Sequence, residues 1–329
     1  MRRRDFIALV AGGLAWPLVA RTQPSERMRR VGILLGSGED KEGRLRVATF
    51  RQQMRELGWI EGKNIEFDVH WSSGDAERMQ VYADEMVRSN PDVILGSSSP
   101  VILALQKTNR SIPVVFTVVT DPVGVGLLSN PAQPEGNLTG FTNFEVSMGG
   151  KWLEIIKELA PSVTRLGILY DPANAPDVSP RYKHSLDAAA RLLEVQLIDA
   201  PVHTAADIEL AVADLARRPN AGMIVLPDNT TVRYRELLAG LATRHRVPAI
   251  YPYRYFARSG GLASYGVDTV DLFRRGATYV DRILNGWKLA DLPVQSPTKF
   301  EFVLNLKAAK DLQLDISPSL IARVDEVIE

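Results

Sequence analysis

The stretch DVILGSSSP, residues 92–100, joins a short apolar run to a polar turn and then to a proline suited to the first turn of a helix. The run Asp92–Leu95 predicts a strand, and the turn Gly96–Pro100 leads into a helix. Strand, turn and helix in this order form the repeating unit of a mostly parallel α/β sheet. Ligands of such sheets bind at the carboxyl ends of the strands, so this stretch predicts both a fold class and the position of a site.

The same alternation of apolar strands and amphipathic helices continues along the chain on both sides of this stretch. Two comparable units span about 28–143 and about 144–252. We therefore predict an α/β protein with two Rossmann-like lobes, each built on a parallel sheet. The other predicted strands are Val31–Leu35, Ile65–Val69 and Pro113–Val119 in the first unit, and Arg165–Tyr170, Val195–Ile198, Gly222–Leu226 and Val247–Tyr251 in the second.

The chain after residue 252 is too short to bury a third core. It contains a predicted strand at Leu262–Tyr265, a long helix ending at Asn285-Gly286, an alternating strand at 300–304 and closing helices. These pieces are expected to complete the two lobes through a multi-strand hinge, about which the lobes close as near-rigid bodies. The predicted division is 28–143 with 253–290 for lobe 1, and 144–252 with 291–329 for lobe 2.

Residues 1–22 have the pattern of an export signal. Arg2-Arg3-Arg4 precede an apolar run, Ala8–Ala20, that is too short for a convincing membrane span. The segment Arg3–Ile7 is similar to the twin-arginine signal, which directs folded proteins across a membrane. Cleavage after Ala20 or Thr22 would release a diffusible protein; an N-terminal helix of a cytoplasmic protein is the alternative.

Charge and cysteine content exclude several classes of function. The chain has 39 basic and 39 acidic residues, and without residues 1–22 it has 35 and 38, so nothing favours binding to nucleic acid or an anionic membrane. There is no cysteine. A disulfide framework, a thiol nucleophile, cysteine-ligated zinc and a lipid-anchored cysteine are thereby excluded.

The sequence shows no catalytic motif. It has no G-x-x-x-x-G-K-[ST] loop, no G-x-G-x-x-G after a strand and no H-E-x-x-H, and the serine turn lacks the second glycine of G-x-S-x-G. The four histidines, His70, His184, His203 and His245, lie in separate segments without ligand spacing. We expect no catalytic residue, no metal site and no cofactor.

Polar residues follow the predicted strands of the first unit. Three consecutive serines beside a helix start would offer hydroxyl and amide donors to a carboxylate or phosphate, although one serine suffices for an ordinary N-cap. Asp121 would either pair with a ligand ammonium or cap the turn before Pro122. The candidates on this edge are Ser37, Ser97, Ser98, Ser99, Thr120 and Asp121.

The second unit offers a matching set. Asp228 and Asn229 follow a strand, and Asp228 would either hold a ligand amine or act as an N-cap. Tyr170 is a candidate aromatic wall. Among the aromatic residues of 251–256, most are expected to pack the hinge and one, Tyr253, to line the cleft. Anion donors on one lobe and an acid on the other would suit a zwitterion.

Several segments together resemble the ABC-transporter substrate-binding proteins that include the tryptophan-binding type. The resemblance covers nearly the whole chain, and its most specific part is Pro297–Lys310. It implies a type I periplasmic-binding fold, no catalysis, and an ABC permease and ATPase as partners. The other landmarks are Arg3–Leu9, Gly96–Pro100, Asp121-Pro122-Val123-Gly124, Gly136–Gly140, Pro318, Leu320 and Ala322–Ile328.

These observations predict a periplasmic solute-binding component of an ABC importer, with an amino acid or a related aromatic or carboxylate compound as its ligand. The mature chain is expected neither to enter a membrane nor to bind nucleic acid. Two other classes stay open: a ligand-sensing domain that acts with a separate signalling partner, and a two-lobed α/β enzyme such as a glycosyltransferase.

Overall fold

The computed structural model describes residues 27–143, 145, 147–173 and 178–329. The predicted export signal, 1–22, lies outside the described residues. Within these ranges, the helices are too short or too polar to span a membrane. No group of His, Asp or Glu side chains among the described residues is arranged to hold a metal ion.

The first lobe is built on a five-stranded parallel sheet in the order β2-β1-β3-β4-β5. Its inner strands are buried on both faces because helices cover both sides, which explains their nearly continuous apolar sequence. The strands are β1 Arg29–Leu35, β2 Ile65–Trp71, β3 Val93–Ser97, β4 Val114–Val119 and β5 Leu138–Thr142, and the helices are α1 Lys41–Glu56, α2 Ala76–Ser89 and α3 Ser99–Thr108.

The second lobe holds a seven-stranded sheet in the order β12-β11-β10-β9-β8-β6-β7, parallel except for the pair β10–β11. Its strands are β6 Arg165–Tyr170, β7 Gln196–Pro201, β8 Ala221–Val225, β9 Ala249–Tyr251, β10 Ala263–Val267, β11 Phe300–Asn305 and β12 Glu326–Ile328. The helices after β5 are α4 Met148–Leu159, α5 Val178–Leu192, α6 Ala205–Ala216, α7 Asn229–Arg233, α8 Arg235–Arg244, α9 Arg254–Arg258, α10 Thr269–Leu284, α11 Leu306–Asp311 and α12 Pro318–Ile321.

Three connections between the sheets form the hinge seen in the described part of the chain. They lie directly after β5, at Asp268 and at 296–299. Two of them are tied together: the Asp268 amide donates to the Lys299 carbonyl at 3.1 Å, and the Lys299 ammonium pairs with the Asp268 carboxylate at 2.8 Å. The expected two-lobed α/β fold with a multi-strand hinge is confirmed.

The predicted lobe boundaries need correction after residue 252. The range 253–290 divides between the lobes: β10 pairs with β9 and β11 in the second sheet, whereas α10 packs against α1 and β4 of the first. A short apolar strand does not encode which sheet it joins, because long-range pairing decides that. Likewise Gln295, assigned to lobe 2, pairs with Phe141 beside the first sheet.

Two strands were not predicted. β5 has the sequence LTGFT, in which a glycine interrupts a short and weakly apolar run. The terminal segment, expected to be helical, ends in β12, whose three residues pair with β11. Each strand forms because it pairs with the free edge of a neighbouring strand, β5 with β4 and β12 with β11. Neither has a local sequence pattern that strongly predicts a strand.

Candidate functional site

The carboxyl ends of the two sheets face each other across a cavity in which the space accessible to a water molecule is about 50 Å³. Fifteen residues from both lobes and the hinge line it: Ser37, Arg46, Ser97, Ser98, Ser99, Pro100, Val118, Thr120, Asn143, Pro227, Asp228, Asn229, Val232, Tyr253 and Tyr255.

The serine turn places the start of α3 at the cavity. Ser98 is the N-cap residue of α3, but its side chain makes no capping hydrogen bond. Its backbone has φ 95° and ψ 150°, a conformation that non-glycine residues rarely adopt. Strain of this kind costs about 1–3 kcal/mol and concentrates at ligand sites.

A second strained residue lies beside it. Val118 has φ 57°, which is an outlier for a β-branched side chain. The register between β4 and β5 shifts at this point, so the strand bulges where Val118 meets the cavity. Two adjacent strand ends of lobe 1 thus carry unusual backbone at the site.

Arg46 brings a positive charge to the cavity from α1. The residue is only 5% exposed, and its Nε atom has no hydrogen-bond partner. Its guanidinium carbon lies 5.3 Å from the centre of the Tyr255 ring, a cation–π distance. Among the residues that the structure describes, Arg46 forms no ion pair with a carboxylate.

The turn between β8 and α7 is the lobe 2 turn, and its acidic residue, Asp228, has a different role from the serines of lobe 1. One oxygen of Asp228 accepts the Thr231 amide at 2.7 Å, and the other accepts the Asp171 amide at 3.0 Å. Asp228 is therefore the N-cap of α7 in a complete capping box. Burial, the largest cause, raises the pKa of Asp228 from 3.8 to about 7; the nearby Asp171 charge also raises it, while the two amide hydrogen bonds oppose the shift.

A hydrogen-bonded chain connects lobe 1, the hinge and lobe 2. The Thr120 hydroxyl donates to the Asn143 side-chain oxygen at 3.1 Å, and the Asn143 amide donates to the Tyr253 hydroxyl at 2.7 Å. Burial is the main reason that the pKa of Tyr253 rises to about 12. Tyr253 and Tyr255 stack with ring centres 5.2 Å apart, giving the cavity an aromatic wall.

The lobes are in contact around the cavity. Arg235 of lobe 2 pairs with Asp40 of lobe 1 at 3.0 Å, and Asn229 donates to the Ser98 hydroxyl at 3.4 Å. Gly36 lies against Ser98 and Asn229 so closely that a Cβ atom there would collide with both. The arrangement is a closed one, with the site enclosed between two lobes.

The sequence matches the family model of ABC transporter substrate binding proteins over residues 42–328. The chain belongs to that family. Family and fold together make it a substrate-binding protein and not an enzyme.

Individual relatives agree with this assignment. The tyrosine-binding protein of Clostridioides difficile strain R20291 is 26% identical over 266 residues, covering 80% of this substrate-binding protein and 75% of the relative. A conserved domain protein from Vibrio cholerae has a TM-score of 0.84 at 28% identity, covering 92% of this chain and all of that one. An ABC domain from Streptococcus pneumonia in complex with L-Trp has a TM-score of 0.83 at 23% identity, with 92% and 100% coverage.

The structure brings eight of the ten predicted site residues of this substrate-binding protein to the cavity. The two others lie elsewhere. Asp121 accepts the Gly124 amide at 2.9 Å and so has the turn-capping role that the sequence left open. Tyr170, half-buried, packs against the apolar core at the end of β6.

Three polar or aromatic lining residues were not predicted. Arg46 lies on the buried stripe of α1 with Val47 and Phe50, and a charged residue within such a stripe is a signal that could have identified it. Asn143 follows β5 directly, so failing to predict that strand also hid the residue at its end. Tyr255 belongs to the aromatic cluster that was assigned to hinge packing.

Proposed function

We propose that this protein is the solute-binding component of an ABC importer and that it captures an amino acid, or a related aromatic or carboxylate compound, in the cavity between its lobes. The observation that carries the proposal is an enclosed cavity lined by both lobes and the hinge. The tyrosine-binding relative and the neighbour in complex with L-Trp support an amino acid as the ligand.

The lining residues suit such a ligand. Tyr253, stacked on Tyr255, gives the cavity an aromatic surface against which a ligand ring can pack. The hydroxyls of the serine turn supply hydrogen-bond donors, and the second amide hydrogen of Asn229 supplies another from lobe 2. The Thr120 hydroxyl donates to Asn143 and therefore offers the ligand an acceptor. The ligand would be enclosed by an apolar wall on one side and polar groups on the other.

In the proposed mechanism, the two lobes close around the ligand, and the importer recognises the closed form. The ligand first contacts one lobe, and contacts from the second lobe then favour the closed form. Binding shifts this equilibrium only as far as the ligand prefers the closed state. The permease and ATPase subunits of the transporter would then recognise the closed surface.

The site of action would be the periplasm. The pattern of residues 1–22 supports export of the folded protein through the twin-arginine route, followed by cleavage. A receptor released by cleavage would diffuse in the periplasm between its ligand and the transporter.

A thermal-shift screen of the chain from Gln23 onward tests the proposal. The probes are amino acids, aromatic acids, sugars and nucleosides. A ligand at a hundred times its Kd stabilises the protein by about 2.7 kcal/mol, so a binder is readily seen. A hit that is returned unchanged, with compaction in small-angle scattering, supports the receptor; turnover of a hit, or no hit in any class, would contradict it.

A further inference from the structure

The charge of the ligand can be inferred from Arg46. Placing a cation in a protein interior is costly unless an anion or several hydrogen bonds compensate for it. Arg46 is 5% exposed and lines the cavity, yet its Nε has no partner and no described carboxylate pairs with it. The stacking on Tyr255 compensates only in part.

Other partly buried arginines around the cleft show the contrast. Arg254, with a side chain 15% exposed, pairs with Glu301 at 2.9 Å and with Glu42 at 3.6 Å. Arg235, at 18%, pairs with Asp40 at 3.0 Å. These cations have protein carboxylates as partners, whereas the one that faces the cavity does not.

A second positive group points to the same space. The α3 helix has ten residues, and its N-terminus carries partial positive charge from its free amides. The N-cap side chain of Ser98 makes no hydrogen bond to them. Because Ser97–Pro100 and Arg46 line one cavity, an anion there would meet both the helix end and the guanidinium.

The cavity offers little to an ammonium group. Its acid is Asp228, and both oxygens of that side chain already accept backbone amides. Burial also raises the pKa of Asp228 to about 7, so the carboxyl carries only part of its charge at neutral pH. Glu42, the next acid, is engaged by Arg254 and Arg258 and does not line the cavity.

We infer that Arg46 and the N-terminus of α3 form the receptor for a ligand carboxylate, and that the cavity selects this carboxylate rather than an amine. The inference rests on the proposed function and specifies its ligand class. It replaces the symmetric zwitterion site expected from the sequence with one in which the negative group of the ligand dominates recognition.

Calorimetric titration with matched compounds tests this selection. Each series keeps one ring, 4-hydroxyphenyl, phenyl or indole, and varies the rest: the amino acid, the acid without its amine, and the amine without its carboxylate. In a series that binds, the acid should bind within tenfold of the amino acid, and the amine should bind at least a hundredfold more weakly. An amine that binds as tightly as its acid would overturn the inference, and so would a screen in which only sugars or nucleosides bind. Either result would leave the receptor function intact.

Substitutions separate a binding role of Arg46 from a structural one. R46M keeps the length and apolar stem of the side chain, and it should weaken acid binding at least a hundredfold. Without ligand its melting temperature should stay the same or rise, because an uncompensated buried charge is removed. R51Q is the matched control: Arg51 lies on the same helix, is partly exposed and pairs with Glu61, so acid affinity should not change.

Two results would contradict the role of Arg46. One is an R46M protein that binds the acid as tightly as the parent. The other is an R46M protein that melts at a clearly lower temperature without ligand while R46K, which retains a charge, restores stability but not the preference for acids. If no compound of any class binds the parent protein, the proposed function fails together with this inference.

Discussion

Two strand-to-helix turns meet across the cavity, and they differ in where their polar groups are used. In the lobe 2 turn, Asp228 has an extended backbone, and its side chain reaches the Thr231 amide in a complete capping box. In the lobe 1 turn, Ser98 has a positive φ, and its side chain leaves the α3 amides without a cap. The acidic side chain of the lobe 2 turn is hydrogen-bonded within lobe 2. The lobe 1 turn instead has hydrogen-bond donors that a ligand can use.

The difference lies in backbone conformation more than in residue type. Serine and aspartate are both favoured N-caps, and either sequence predicts a capped helix. N-cap residues whose side chains bond the N2 or N3 amide usually have an extended backbone, which Asp228 has and Ser98 does not. The strained backbone at Ser98 therefore keeps the amides at the start of α3 available as hydrogen-bond donors at the site.

The largest expected effect is on the pH dependence of stability. A folded-state pKa of about 7 against 3.8 means that the folded protein holds the Asp228 proton more tightly than the unfolded chain does. This contribution to stability is complete below about pH 4 and is lost as pH rises toward 7 and above. A difference of about three pKa units corresponds to about 4 kcal/mol.

Urea unfolding between pH 4 and 8 measures this dependence, with D228N as the control. The variant cannot ionise at this position, so its free energy of unfolding should fall less over the range. His203, which lies 2.8 Å from Asp171, is present in both proteins, so its contribution cancels in the comparison. Parallel pH profiles of the two proteins would show that Asp228 ionises normally.

Removing the cap should destabilise the lobe 2 turn. D228A leaves the amides of Thr231 and Asp171 without their side-chain acceptor, and we expect a loss of about 2 kcal/mol at pH 5. S98A is the matched change in lobe 1, where no capping bond exists, and should stay within about 0.5 kcal/mol of the parent. Urea unfolding decides, and equal losses would contradict the contrast between the turns.

Relieving the strain at Ser98 should have the opposite sign. Glycine adopts φ near 95° without steric cost, so S98G should stabilise the protein by about 1 kcal/mol even though glycine is more flexible when unfolded. S98A keeps the Cβ atom and should gain nothing. The melting temperatures of the two variants provide the comparison, and a lower value for S98G would mean that the backbone is unstrained there.

Sequence reasoning succeeded where periodicity and edge position decide the structure. The run at 92–100 correctly predicted a strand, a turn and a helix. The rule that ligands bind at the carboxyl ends of parallel strands correctly predicted that Ser97–Ser99 and Asp228 line one cavity. It failed where distant parts of the chain decide, as in β10, which joins the second sheet by pairing with β11. The position of Arg46 on the buried stripe of α1 is visible in the sequence, but its lack of a carboxylate partner is not, because that depends on which side chains approach it from the other lobe.

The smallest effect concerns the contact between the two turns. The Asn229 amide lies 3.4 Å from the Ser98 hydroxyl, at the long end of hydrogen-bond distances. A double-mutant cycle of N229A and S98A, measured by urea unfolding, should therefore give a coupling below about 0.5 kcal/mol. A coupling above about 1 kcal/mol would mean that the turns themselves hold the lobes together. A weak coupling leaves that task to ion pairs such as Arg235–Asp40 and to the ligand, as a receptor that must open again requires.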